Sequence, residues 1–280
     1  VKVEEEEFRH RAFPTFGRCI YCGAQPPEAA LTDEHIVPYS LGGSAVIEKA
    51  SCAQCATITS QLELHLARTI FGHYRIHANV ATRNRRKRPT TLPTTIKIGD
   101  EPHLDLDLPI KDHPFFTYLP VWDKPGMLTG AEQTADFKTT ELHKFSYVPD
   151  HFRRLLSLGT AETLTFPLSA PLRLSENQFS RSLAKIAYCT AVTRYGLQGF
   201  DRKTITDFIL GNYPYAPFLV GGSTDAVLPS MPGLDHLIAL AEIPINEVKT
   251  LLGFVRLFAK SGTAAEGMPI YTVVLGASVN

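Results

Sequence analysis

No stretch of about 18 consecutive apolar residues occurs in the 280-residue chain, so none of it reads as a membrane-spanning helix. Excess charge is lacking too: 28 Lys and Arg balance 28 Asp and Glu, and the sequence pI is about 7.3. The whole chain is therefore not a cation built for polyanions, and any phosphate contact must come from a local patch. The opening "VKVEEEEFRH" is acidic where a secretory leader would be basic and then apolar, which reads as a soluble, cytoplasmic protein. Beyond residue 95 we find no internal repeat, no phosphate-cradling glycine loop and no nucleophile elbow. With 44% hydrophobic residues the chain can still bury a sizeable core, as one large or two modest domains.

Cysteine is sparse but concentrated. Four of the five form two Cys-x-x-Cys pairs, Cys19 and Cys22 in "CIYC" and Cys52 and Cys55 in "CAQC". Thiols stay reduced in the cytosol, so such pairs hold metal more readily than they form disulfides. Each pair lets two thiolates approach one ion at about 2.3 Å, and two pairs close a tetrahedral Zn2+ shell with no position left for chemistry. A pair of redox dithiols is the plainer alternative, and the spacing argues against it. Cys189 lies in an apolar helical pattern and reads as a small core residue.

The remaining pattern predicts an α+β fold with a boundary near residue 95, separating residues 1–95 from 96–280. Residues 13–45 are broken by glycines and prolines into short strands and turns. Ile58, Leu62, Leu66 and Ile70 then recur every four residues, which predicts a helix from about Gln54 to a stop at Gly72. In the second part, "EPHLDLDLPI" alternates like an edge strand. "SENQFSRSLAKIAYCTAVTRYG" predicts a helix capped by Ser175 and closed by Gly196, and "DRKTITDFILG" a second that ends at Gly211. The tail segments "HLIALAEI", "VKTLLGFVRLFA" and "PIYTVVLG" read as antiparallel strands, the last two joined through "KSGTAAEGM". His103, His113, His143, His151 and His236 show no metal-ligand spacing and read as single surface or core histidines.

Between Glu63 and Asp100 there is no acidic residue, while Arg68, Arg75, Arg83, Arg85, Arg86, Lys87, Arg88 and Lys97 fall inside. In a neutral chain this one-signed stretch, with its centre at "RNRRKRP", is suited to neutralise phosphates. A solvated linker is the alternative reading.

Between the cysteine pairs lies "LTDEHIVPYSLGG", residues 31–43. This "EHI-P-S-GG" arrangement between two knuckles, with a helix after the second, resembles the HNH nuclease family over roughly residues 15–72. The resemblance implies a ββα-metal, or His-Me finger, fold for the zinc-stabilised N-terminal domain, followed by a larger α+β domain. It also implies a metal-dependent phosphodiesterase. His35 would be the general base, since an imidazole with an ordinary pKa near about 6.5 is mostly unprotonated at neutral pH. Glu34 would hold a hard divalent cation, Mg2+ or Mn2+, that takes charge from the scissile phosphate. Asp33 would be a second ligand, an orienter of His35 or a turn cap. Some bacterial HNH proteins of similar length are similar in the "RNRRKRP" stretch as well.

The sequence departs from that family at two places. The middle asparagine is missing, with Ile47 about where it would fall, and Ala56 stands where a histidine or asparagine completes the metal site. Glu63, two helical turns beyond Ala56 on the same face, is the candidate replacement ligand. Thr59 and Ser60 are nearer but neutral, and His65 points to a different face. Two functions follow: an endonuclease, with DNA favoured over RNA, or a degenerate HNH fold that binds nucleic acid or a protein without cutting. No recognition helix rich in Arg, Asn and Gln is visible, so target choice falls to residues 96–280, to a homodimer or to a protein partner.

Overall fold

The computed structural model describes residues 4–5, 11–80, 82, 85–96, 104–157, 175–223, 236–258 and 268–279. Short strands β1 (Glu4–Glu5) and β2 (Ala12–Phe13) lead to β3 (Leu31–His35) and β4 (Val46–Cys52), then helix α1 (Ala53–His65). β3 and β4 are antiparallel and β2 joins β4 in parallel, so a three-stranded sheet backs α1. Leu62, Leu66 and Ile70 are buried, as the four-residue period requires. The helix does not stop at Gly72. It passes through one π-helical turn, Leu66–Ile70, and resumes as α2 (Gly72–His77). The extra residue per turn lets both Leu66 and Ala67 face inward before the axis bends.

Two hairpins follow, β5 (Thr91–Ile96) with β6 (Leu104–Pro109), and β7 (Phe115–Trp122) with β8 (Thr139–Tyr147), with α3 (Gly126–Thr129) between the strands of the second and α4 (Asp150–Ser157) after it. The 20-residue α5 (Glu176–Tyr195) is capped as expected: the Ser175 hydroxyl accepts from the Gln178 amide at 3.3 Å, and Gly196 follows the last turn. Next come α6 (Lys203–Leu210), α7 (Ala216–Leu219) and β9 (Val220–Ser223). β10 (His236–Ile245), β11 (Val248–Leu257) and β12 (Ile270–Ala277) form the expected antiparallel meander, in the order β1-β10-β11-β12-β9. The "KSGTAAEGM" connection lies almost wholly outside the described residues, as do His103, Arg83 and Lys97.

Helix α5 is the centre of the molecule. It packs on α1 from one side and on β10, β11 and β12 from the other. Gly253 allows the close approach, since a Cβ there would stand 2.6 Å from the Ala187 Cβ. Residues 182–192 of α5 are all buried, and the buried residues of 19–71 and of 115–275 make one continuous cluster. Burial of each large apolar side chain such as Phe179 or Ile186 contributes about 1.5–3 kcal/mol. A helix enclosed on every side leaves no place for a solvated charge, yet it carries Lys185.

Candidate functional site

The two cysteine pairs meet. The Sγ atoms of Cys19, Cys22, Cys52 and Cys55 all lie within 4.8 Å of one another, and Cys22 Sγ is 3.6 Å from Cys52 Sγ. A tetrahedron with Zn–S bonds of about 2.3 Å has edges of about 3.8 Å, so the four sulfurs fit one Zn2+. Hydrogen bonding from the Cys55 thiol draws the Cys19 thiol down against the cost of burial, while the same contact pushes Cys55 up and burial pushes Cys22 up. A thiolate within a cluster of thiols is the donor set such an ion takes. Cys189 stands apart, fully buried, with its sulfur 3.4 Å from the Tyr21 hydroxyl.

Between the pairs, "EHIVPYSLGG" forms the end of β3 and a tight bend. Gly42 has φ 97°, and a Cβ on Gly43 would stand 2.0 Å from the Val37 carbonyl oxygen, so both glycines are required by the turn. The bend is fastened from outside: Arg75 Nε donates to the Ser40 carbonyl, and His236 Nε2 lies 2.9 Å from the Leu41 carbonyl.

Strand alternation sends Asp33 and His35 to one face of β3 and Glu34 to the other. His35 is half-buried, its ring 5.8 Å from that of Tyr39 in an edge arrangement. Asp33 is exposed, and its Oδ1 accepts the Lys49 amide at 3.0 Å. Lys49 has φ 45° where the β3–β4 register slips, so Asp33 caps a bulge. Of the three roles open to it, the turn cap is the one its contact supports.

Glu34 points at α1 and is only 4% exposed. The Thr59 hydroxyl lies 3.5 Å from Glu34 Oε2, and Glu63 follows one turn later on α1. The sequence's two candidate carboxylates are thus brought to one cleft, but between them sits Lys185. Its Nζ is 2.8 Å from Glu34 Oε1 and 2.8 Å from Glu63 Oε1, and it also donates to the His35 carbonyl. Burial by itself would lower the lysine pKa. The pull of Glu34 and then Glu63 outweighs it and holds the ammonium well above the usual lysine range. On Glu34, burial pushes the carboxyl up by more than Lys185 pulls it down, so it lies above the usual carboxylate range. An ammonium with three close oxygen acceptors favours the charged pair.

Residues 19–69 match the HNH endonuclease family. That family hydrolyses nucleic acid, and the HNH segment here comprises β3, β4, α1 and all four clustered cysteines, followed by a larger α+β region. Comparison with curated proteins and with solved structures gives no match. The departures of the HNH segment are visible in space. Ile47 is fully buried opposite Glu34 across the sheet, and Ala56 contributes no ligand atom. Glu34, Thr59 and Glu63 are oxygen donors of the type a hard cation takes, but Lys185 fills the space between the carboxylates, so as arranged they do not fit a divalent ion. His65 is directed elsewhere: its Nδ1 is 3.4 Å from the Thr69 hydroxyl.

In the basic stretch, Arg86 and Lys87 are exposed, and only the backbone of Arg85 is described. Arg88 is half-buried and donates to Asn79 Oδ1 and to the Val80 carbonyl. The sequence reading also missed a grouping of histidines. His73 and His77, one turn apart on α2, stand 5.5 and 5.8 Å from His113, centroid to centroid, beside Phe115 and Tyr147. Burial lowers the pKa of all three, that of His77 to about 4. A cavity of about 570 Å³ lined by Trp122, Phe137 and Pro217 holds none of the expected site residues. Among the described residues no helix is long and apolar enough to cross a membrane.

Proposed function

We propose that this chain is an HNH-type endonuclease acting on nucleic acid, with His35 as the general base. The observation that carries this reading is the coincidence of the HNH match with a half-buried histidine at the strand end, set by a two-glycine bend and flanked by the zinc knuckles. A structural Zn2+ on the four cysteines supplies the scaffold and no open coordination position. His35 takes the proton of the attacking water, and the bend fixes its direction. Arg83, Arg85, Arg86, Lys87 and Arg88 supply the one-signed charge that neutralises the phosphate backbone, DNA in preference to RNA, without reading bases. Target choice rests with residues 96–280, through a homodimer or a protein partner, in the cytoplasm.

The second reading, an HNH fold that binds nucleic acid without cutting, is favoured by one contact. Glu34, the expected cation ligand, is buried against Lys185 on the face opposite His35. Incubating mixed DNA and RNA substrates with Mg2+, Mn2+ or no added metal, for the full chain and for His35→Ala, separates the two. Cleavage lost in His35→Ala supports the endonuclease. Absence of cleavage by either protein, with binding that weakens steeply as salt rises, supports the binding module.

A further inference from the structure

We infer that Lys185 is an internal counter-cation: its ammonium fills the cation position of the HNH cleft, so that Lys185 and a divalent ion are mutually exclusive occupants between Glu34 and Glu63. The cleft has the form of an ion site. One carboxylate comes from β3, a second and a hydroxyl come from α1 four residues apart, and all three belong to the segment that matches the family. The occupant comes from α5, 150 residues away in sequence from the His35 carbonyl it also binds.

Three observations make the lysine an occupant rather than a passing neighbour. It is 1% exposed on a helix enclosed on all sides, so it cannot swing into water without moving α5. Its donors are matched by Glu34, Glu63 and the His35 carbonyl, and the Ile36 carbonyl lies 3.5 Å away. The carboxylates stand 2.8 Å from Nζ, the length of a charge-assisted hydrogen bond. A Mg2+ or Mn2+ ion at the same point would draw them in to about 2.1 Å, a shift of about 0.7 Å for each, with no room left for the ammonium. A single positive charge against two carboxylates also leaves one negative charge over. That residual charge is what a divalent ion would neutralise if the lysine were removed.

The inference rests on the HNH reading only for the identity of the cleft, and its test needs no nucleic acid. Mn2+ binding to the zinc-loaded full chain is measured by electron paramagnetic resonance for the native protein, Lys185→Met and Lys185→Met/Glu34→Gln. The native chain is expected to show no saturable Mn2+ site at millimolar ion. Lys185→Met gains one site, at least about tenfold tighter than any binding in the native chain, and the added Glu34→Gln removes it. Equal Mn2+ affinity in native and Lys185→Met proteins overturns the inference, as does a variant that folds but gains no site. If Lys185→Met does not fold in metal-free buffer, refolding with millimolar Mn2+ replaces the titration: recovery supports the inference and failure to recover overturns it. Cleavage by the native chain together with no Mn2+ gain in Lys185→Met would remove the counter-cation and leave the nuclease reading standing. The opposite pair of results would do the reverse.

Discussion

The molecule holds two charged clusters within one ββα unit, and they are completed in opposite ways. Four sulfurs from two local knuckles converge on a point that a Zn2+ ion fits. A few residues away, two carboxylates converge on a point that a lysine from α5 already holds. Both solve the same problem, the burial of negative charge, one with a metal donor set and the other with the chain itself. The comparison teaches that a ligand pattern in sequence states where charge gathers and leaves open what neutralises it.

The comparison breaks most decisively at the sulfurs. Cys52→Ser or a strong chelator should unfold β3, β4 and α1, because zinc contributes about 10–16 kcal/mol to small domains of this kind, as much as the whole stability of an ordinary domain. Hydrogen exchange reads the result directly. Amides of β3, β4 and α1 lose protection, while β10, β11 and β12, paired among themselves, keep theirs. Unchanged protection of α1 after chelation would show that the knuckles do not depend on metal.

The lysine cluster should respond less, but still strongly. Glu34→Ala leaves a buried ammonium with one partner fewer, and breaking a buried pair costs about 3–5 kcal/mol. Replacing both members, Glu34→Leu with Lys185→Met, should restore much of that loss, since a well-packed apolar pair avoids the desolvation penalty. Urea unfolding of the two singles and the double yields the coupling between them. A double variant no more stable than Glu34→Ala would mean that the contact contributes little in the native protein.

How much of this was legible follows from sequence distance. The knuckles, the Gly42–Gly43 bend, the Ser175 cap and the C-terminal meander are local patterns, and each lies where the spacing put it. Glu34 and Glu63 became candidates through the HNH resemblance, Glu63 by its place on the helix face of Ala56, and both reach one cleft, where they meet Lys185. Lys185 was not legible, because its partners lie 122 to 151 positions away and nothing in periodicity reports a contact of that range. A signal did exist: "SLAKIAYC" sets one charge in an otherwise apolar and small run, and such a charge requires a buried partner. The π-turn at Leu66–Ile70 escaped for a different reason, since one inserted residue leaves the four-residue apolar period nearly unchanged.

His73 and His77 of α2, with His113, form a third titratable group, and burial is the first cause of the lowered pKa of each. Folded-state pKa values lie below the ordinary 6.5, at about 4 for His77, so the unfolded chain binds more protons between those two values. Stability from this group is complete above about pH 6.5 and is lost as pH falls toward 4. Thermal melts across that window should show a slope that His77→Phe flattens, because an aromatic ring fits beside Phe115 and Tyr147 without taking up a proton. An unchanged slope in the variant would assign the acid sensitivity to carboxylates instead.

The smallest effect sharpens the comparison at the residue next to Glu34. Asp33 and Glu34 are adjacent acids on opposite faces, and only Glu34 meets the lysine. Asp33→Ala removes the acceptor for the Lys49 amide and should cost about 1 kcal/mol, the net worth of one hydrogen bond at a partly exposed bulge. Asp33→Asn keeps an acceptor oxygen in the same place, so it should stay within a few tenths of a kcal/mol of the native chain in urea unfolding. Charge is what separates a turn cap from a cation ligand, because a cap needs only the lone pair and a ligand to a hard ion needs the anion. If Asp33→Asn were as destabilised as Asp33→Ala, or if it abolished the Mn2+ site gained by Lys185→Met, the carboxylate would be acting across the strand on the cleft rather than holding the bulge.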